Sequence, residues 1–525
     1  MVAARLAPDH DVTVLDAGPR FEGDDRTERM ERALRPAHHP FEVWSMGGER
    51  DAYASSGERH YPLNHARVKG VGGSTLHWQG MVMRLHESDF RRRTRDGVGT
   101  DWPIDYETLR PYYAAAEREL GVAGAADNPF APPREEPYPM PAFPPSHSDA
   151  LFAEACEALG VATHSVPNAR NSEAYDGRSP CVGYGTCKPV CPSGAKYTAE
   201  VHVRRAERAG ATVIPEAPVQ RLETGGDGRR VARAVYADDA AGGAERTVTA
   251  DQFVLAAGGV ETPRLLLLSA DEDHPDGLAN ASGAVGRYFT DHLFAGMGGT
   301  LDEPVGGNRI GFVTGESHQF YDDPGASTRG IPGSDADLGP IKLEFLNYDG
   351  TSTVRAPSPV RIALDDGAWG DRLLDRIRER YGNGVAIGAL VGQTPRADNR
   401  IALDRSRADD HGNPVPDVRW SIDDRTRRTV RRANEIQRAI LSELGVDVEW
   451  TVGPENTGPA YHHMGTTRMG TDPDRSVVDR RLRTHDVANL TVASSSVFPT
   501  GGAMNPTLTI AALALKAADH VAADL

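Results

Sequence analysis

From Gln252 to Leu268 the chain reads Gln-Phe-Val-Leu-Ala-Ala-Gly-Gly-Val-Glu-Thr-Pro-Arg-Leu-Leu-Leu-Leu. Phe253 to Ala256 is a short apolar run of the length expected for a buried strand, and it leads directly into Gly258 and Gly259. Glycines at such a point let backbone approach a bound molecule closely. The pattern predicts a strand, a glycine turn and a helix opening at Thr262-Pro263, because proline suits a first helical turn. Upstream, Thr212 to Pro215, Val219 to Leu222 and Val231 to Tyr236 read as short strands. This part of the chain is therefore expected to be α/β.

A second fragment lies at the beginning. Val2 to Ala7 reads as the end of a helix, and Val12, Val14 and Leu15 as a strand closing on Asp16 before the turn Ala17-Gly18-Pro19. In a dinucleotide-binding βαβ unit the acidic residue ending the second strand binds a ribose, roughly 20 residues after a Gly-rich turn. Counting back from Asp16 puts that turn before Met1, so its first strand and turn are expected outside this sequence. An ordinary helix–strand start reads the fragment equally well.

Charge narrows the function classes. The 525 residues carry 75 acidic against 58 basic side chains, a net charge of -17. That argues against a broad nucleic-acid footprint and against adhesion to an anionic membrane. Only five of the basic residues are lysines, and an acidic, lysine-poor surface fits solubility at high salt. The Arg91-Arg92-Arg93 cluster reads as a solvated or carboxylate-paired face. The longest apolar candidate, Thr507 to Leu515, is Ala-rich, broken by Lys516, and short of the ~18–20 residues that span a bilayer. The opening lacks the basic and apolar regions of a signal peptide, so a cytoplasmic or peripherally membrane-associated protein is expected. Eight prolines within 129–145 mark a surface connection, and helical spacing of Val430, Ala433, Ile436, Ile440 and Leu444 predicts an amphipathic helix over 427–444.

Two C-terminal stretches carry the most chemistry. One is Tyr461-His-His-Met-Gly-Thr-Thr-Arg-Met-Gly470. The other runs Asn489-Leu-Thr-Val-Ala-Ser-Ser-Ser-Val-Phe-Pro-Thr-Gly-Gly-Ala-Met-Asn-Pro-Thr507 and reads as a strand, a Gly-rich loop and a helix opening at Asn505-Pro506. With the segments at 1–19 and 252–268, these resemble the glucose-methanol-choline (GMC) oxidoreductases over nearly the whole chain. The likeness is strongest to the branch holding pyranose oxidase and the large subunits of gluconate and fructose dehydrogenases. It implies a Rossmann-like FAD-binding domain with an inserted antiparallel-sheet substrate domain, an α/β fold of α+β character. The FAD-binding parts fall on 1–100 and 195–290, a connecting segment on 101–194, the substrate domain on 291–454, and a C-terminal FAD-binding and catalytic segment on 455–525.

The resemblance places the catalytic pair on His462 and Asn505. His462 is then the base for a substrate hydroxyl, and Asn505 a hydrogen-bond partner of the same oxygen. His463 competes with His462, and spacing alone does not separate the two. Arg67-Val-Lys-Gly-Val-Gly-Gly-Ser-Thr-Leu-His-Trp78 matches a flavin-wrapping segment, which puts Gly72, Gly73, Ser74 and Thr75 on the cofactor. It also implies a covalent flavin link at His77; the alternative is that His77 only packs beside Trp78. Asp16, Val219, Gly258, Ala493, Ser494, Asn505, Pro506 and Thr507 complete the expected FAD contacts.

Cys181, Cys187 and Cys191 form a C-x5-C-x3-C-P run whose tail matches the end of a ferredoxin ligand run. Three thiolates suit a [3Fe–4S] cluster, and the segment resembles the large subunit of FAD-dependent glucose dehydrogenases, which carry one. A disulfide with a free thiol, or inert thiols, remain open; zinc is less attractive because His202 lies eleven residues away. Cys156 is expected in a helix, facing the core. The implied reaction oxidises a hydroxyl of a sugar, sugar acid or polyol to a carbonyl or lactone. Electrons then leave through the cluster to a cytochrome or quinone, with a small subunit as partner. An oxygen-using oxidase without a cluster, or an inactive remnant of a flavoprotein, are the alternatives.

Overall fold

The computed structural model describes residues 1–21, 25–33, 42–305, 310–347, 367–380 and 382–525. The strand expected before the double glycine forms at Phe253–Leu255 and pairs in parallel with Leu490–Val492. The strand before Asp16 forms at Thr13–Leu15 and pairs in parallel with Thr212–Ile214. These two parallel pairs are the Rossmann-like part of the fold. The helix after the double glycine starts earlier than the proline predicted, at Gly258, and runs to Leu268 with Pro263 inside it. Pro263 is only the sixth residue, so the carbonyl its missing N–H leaves without a partner lies near the helix start, where the break costs little. Val219–Thr224, Val231–Asp238 and Ala244–Val248 make a separate antiparallel sheet.

The inserted sheet is antiparallel and larger. Its strands lie in the order Asp447–Val452, Leu293–Thr300, Gly384–Val391, Ile341–Leu346, Val313–Ser317 and His164–Ser165. Gly458–Pro459 adds a further pairing on Leu293 and Phe294. The amphipathic helix appears at Asp424–Glu443, started by Asp423, whose carboxylate accepts from Thr426 N at 3.0 Å. Its apolar stripe of Val430, Ala433, Ile436 and Ile440 is fully buried in the same cluster as Ile387, Ala389 and Leu343 of the sheet.

The last helix, Thr507–Asp524, is capped by Pro506, so it opens just after the expected Asn505-Pro506. It packs on Tyr106–Leu120, where Tyr113 Oη and Thr509 Oγ1 are 2.9 Å apart. Among the described residues no helix is long and apolar enough to cross a membrane. Cys156 is fully buried in the helix His147–Leu159. Within the arginine cluster, Arg92 is buried and paired with Asp89 and Asp96, the carboxylate-paired arrangement. The proline-rich segment contributes Met140–Pro141, a two-residue strand on Ala123–Gly124, where only a connection was expected.

Candidate active site

The motifs separated in sequence meet through a few specific contacts. Gly18 lies so close to the Lys69 carbonyl that a Cβ there would overlap it, which holds the Asp16 turn against the Gly72 segment. Asp16 Oδ1 accepts from Gly18 N at 3.0 Å, and burial pushes its carboxyl above the usual range. Val219, at the start of its strand, follows Ala217, whose N–H donates to the Asp16 carbonyl at 2.8 Å. Arg67 and Lys69 both reach the carboxylate of Glu261 on the helix Gly258–Leu268. Burial would raise the pKa of Glu261, but Lys69, Arg67 and Arg264 hold it well below the ordinary carboxylate range. A Cβ at Gly259 would stand 2.5 Å from the His463 carbonyl oxygen, and Thr466 Oγ1 donates to the Gly259 carbonyl at 2.7 Å. Ala493 N donates to Leu255 O at 2.8 Å, while Ser494 and Ser496 join hydroxyls at 2.6 Å.

Gly73 (φ +56°) and Gly258 (φ +74°) have no atom within 4 Å of where a Cβ would be, and Ser74, Ala256 and Ala257 are exposed. Backbone laid bare at a glycine turn and ahead of a helix is what a dinucleotide cofactor needs. Thr75 Oγ1 donates to Gly72 O at 2.6 Å and accepts from Ala199 N at 2.8 Å. His77 is buried, and burial followed by the charges of Lys188, Lys196 and His463 pushes its pKa well below 6.5.

The centre of the site is His462. Its N–H donates to Asp291 Oδ1 at 2.8 Å, Tyr461 N donates to Oδ2 at 3.1 Å, and Tyr61 Oη donates to the same carboxylate. Burial raises the Asp291 pKa to about 7. His462 Nδ1 lies 2.8 Å from His292 Nδ1, and His292 Nε2 lies 3.1 Å from the Gly501 carbonyl. A carbonyl only accepts, so His292 Nε2 carries the hydrogen. Burial keeps His292 neutral, with a pKa of about 4, so its Nδ1 accepts from His462. The network thus assigns the hydrogen of His462 to Nδ1 and leaves the lone pair on Nε2.

Asn505 is fixed in a similar way: Lys342 Nζ donates to its Oδ1 at 2.6 Å, which turns the NH2 group outward. Lys342 is fully buried and paired with Glu344 at 2.8 Å. Burial, then the charges of His292 and Lys342, push the His462 pKa well below 6.5. His463 lies instead against Tyr61 and Phe289, with ring centroids at 5.6 and 5.9 Å, and burial lowers its pKa to about 3. Sequence reasoning missed Asp291, His292, Lys342 and Glu261. Glu261 sits inside the double-glycine segment but shows its role only through the long-range pairs with Arg67 and Lys69, and Lys342 arrives through strand register.

The three clustered cysteines are free thiols. Cys181 is raised by burial and then by the charges of Cys187 and Cys191. At Cys191 burial is outweighed by the Lys196 amide and ammonium, so its pKa falls below the ordinary thiol value. Lys196 Nζ donates to the carbonyls of Leu76, Trp78 and Cys187 at 3.2, 2.6 and 2.7 Å. One ammonium therefore ties the cysteine loop to both neighbours of His77.

A parallel α/β unit with open glycine turns, joined to a larger antiparallel sheet, is the arrangement of an FAD-dependent oxidoreductase. Two family models, both described as GMC oxidoreductase, match residues 56–294 and 395–514. The chain belongs to this family. It is 36% identical to the fructose dehydrogenase large subunit of Gluconobacter japonicus over 98% of this chain and 94% of that one. It is 32% identical to 2-methyl-1,2-propanediol dehydrogenase of Mycolicibacterium austroafricanum over 86% and 81%, and 26% identical to the gluconate 2-dehydrogenase flavoprotein of Pantoea cypripedii over 85% and 77%. Among solved structures, a pyridoxine 4-oxidase superposes with a TM-score of 0.66 at 21% identity, covering 99% of this chain and 96% of that one. That likeness speaks to the fold alone.

Proposed function

We propose that this chain is a dehydrogenase that oxidises a hydroxyl of a sugar, sugar acid or polyol to a carbonyl or lactone. The observation that carries the proposal is that His462 and Asn505 are each oriented by a second buried group, His292 and Lys342. FAD, held by Asp16, Gly72 to Thr75, Val219, Gly258, Ala493, Ser494 and the start of the last helix at Asn505 to Thr507, supplies the hydride acceptor. His462 Nε2 takes the hydroxyl proton, because its Nδ1 is already donating to His292. The Asn505 NH2 donates to the same oxygen, since its Oδ1 is engaged by Lys342. The last helix opens at Thr507, two residues after Asn505, so its positive end favours negative charge near that residue. His463, packed between two aromatic rings, has no comparable orientation by a second group. His77 stays neutral through burial and the neighbouring ammonium groups of Lys188 and Lys196, which suits a covalent flavin link through its imidazole.

The cysteine loop favours a dehydrogenase over an oxygen-using oxidase. Cys181, which feels both other thiols, and Cys187 and Cys191 beside Lys196 fit a [3Fe–4S] cluster held by the three. Such a cluster supplies one-electron transfer to a cytochrome or quinone. The description of the Gluconobacter relative as a large subunit supports a partner subunit here too. The test is anaerobic single-turnover flavin reduction with a panel of sugars, sugar acids and polyols, run on the wild type and His462→Ala. Reduction should slow by several orders of magnitude in the variant while FAD stays bound. An unchanged rate would overturn the assignment.

A further inference from the structure

The inserted sheet holds a second cluster of ligating side chains away from the cysteines. His164 and Glu316 are directly opposite each other in the antiparallel pairing of His164–Ser165 with Val313–Ser317. Side chains two residues apart on a strand share a face, so Glu316 also brings His318 to the same side. Glu344 is opposite Glu316 on the next strand. All of these side chains are buried. Ligand atoms of His164, Glu316 and His318 lie within 4.8 Å of one another, the one such group of three among the described residues. His318 Nε2 is 3.2 Å from Glu316 Oε1 and His164 Nδ1 is 3.8 Å from it.

Their hydrogen bonding is incomplete in a directed way. His164 Nε2, His318 Nε2 and both carboxylate oxygens of Glu316 are buried without a hydrogen-bond partner among the described residues. Four orphaned acceptors or lone pairs in one buried place are costly unless something fills the space between them. The outer contacts orient the rings. His164 Nδ1 lies 3.1 Å from the Ser165 carbonyl and so carries its hydrogen, leaving Nε2 with a lone pair. Behind His318, Asp322 accepts from His86 Nδ1 at 2.9 Å, and His86 Nε2 is 3.3 Å from His318 Nδ1. Asn128 Nδ2 lies 3.1 Å from the same His318 Nδ1, and its amide is oriented by Phe130 N, which donates to its Oδ1. Lys342 stands 3.6 Å from Glu316 Oε2 but pairs more closely with Glu344, at 2.8 Å, so the charge of Glu316 is left to face the cluster.

We infer that His164, Glu316 and His318 bind one divalent transition-metal ion of the zinc class, which clamps the edge strand His164–Ser165 onto the inserted sheet. Two imidazoles and a carboxylate are donors that such an ion takes, with one coordination position left for a further oxygen donor. The experiment measures metal content by mass spectrometry in full-length holoprotein grown with zinc supplementation, together with the zinc K-edge absorption spectrum. One zinc per chain is expected, in a shell of nitrogen and oxygen at about 2.0–2.1 Å with no sulfur at about 2.3 Å. Zinc should be lost in the His164→Gln/His318→Gln double variant and kept in Cys187→Ser. A wild type without stoichiometric zinc, or a sulfur shell, overturns the inference; so does zinc that survives the double substitution. The wild-type content and spectrum decide the matter even where the double variant does not fold.

Discussion

The Nδ1 atoms of His292 and His462 lie 2.8 Å apart, and the Gly501 carbonyl on the far side of His292 dictates which of them carries the hydrogen. On the proposed mechanism His292 is thus a positioning residue: it sets the tautomer of His462.

Replacing His292 with Leu leaves His462 free to rotate and to carry its hydrogen on either nitrogen. A wrong tautomer costs up to about 10⁴-fold in a related acid–base system, so flavin reduction should slow by about 10²–10³-fold here. A further sign separates this from general damage. After burial, His292 is a further cause that holds the His462 pKa down: once it takes its own proton, near pH 4, its charge opposes a second one on His462. The acid limb of the rate–pH profile should therefore move to higher pH in His292→Leu. An unmoved limb would mean that His292 only packs.

Lys342 invites a parallel argument. Its ammonium fixes the Asn505 amide and disfavours the protonated form of His462. Lys342→Met should lower the reduction rate by about 10–100-fold, the value of one charged hydrogen bond, and raise the pH of the acid limb. The variant should also melt lower, because Glu344 loses its buried partner. Lys342→Arg should restore the limb but only part of the rate, since a planar guanidinium approaches Asn505 differently. Stopped-flow reduction across pH checks all three outcomes.

How far the sequence reached follows from these examples. Phe253–Leu255, Asp424–Glu443 and the last helix were legible because period and turn residues are local signals. His462 and Asn505 were legible because they sit in dense motifs. Lys342 was invisible: nothing around it marks it, and only the register of Ile341–Leu346 in the sheet brings it to Asn505. Glu316 and His164 are likewise opposite each other only through strand pairing. The start of the helix at Gly258 was misjudged because proline at its sixth residue resembles a first-turn proline.

Acid should destabilise the protein through its buried histidines. Burial holds His292 at about 4 and His463 at about 3, below the ordinary 6.5. Below pH 6.5 the unfolded chain therefore binds protons that the folded chain does not. Stability present above pH 6.5 is lost as pH falls from there toward those lowered values, at about 1.4 kcal/mol per pH unit for each such group. His463→Phe, placed between Tyr61 and Phe289, removes one of these titrations without removing an apolar contact. Urea midpoints at pH 7.5 and 5 should differ less in this variant than in the wild type. An equal difference would show that His463 carries none of the acid sensitivity.

The electron exit can be tested at Cys187, because Lys196 ties its carbonyl to those of Leu76 and Trp78 on either side of His77. That single ammonium makes the cysteine loop a direct neighbour of the segment proposed to hold the flavin, so a cluster there would lie beside that segment. Cys187→Ser removes one of three thiolates, and a hydroxyl is a poor ligand for a sulfide-bridged iron. Iron and acid-labile sulfide should fall together in the variant. Reoxidation of the substrate-reduced protein by a cytochrome or quinone should then slow at least tenfold more than the reductive step does. Loss of iron with both half-reactions slowed equally would make the loop structural. Wild-type protein free of iron and sulfide would instead leave the thiols as packing, and the enzyme would have to deliver its electrons from the flavin directly.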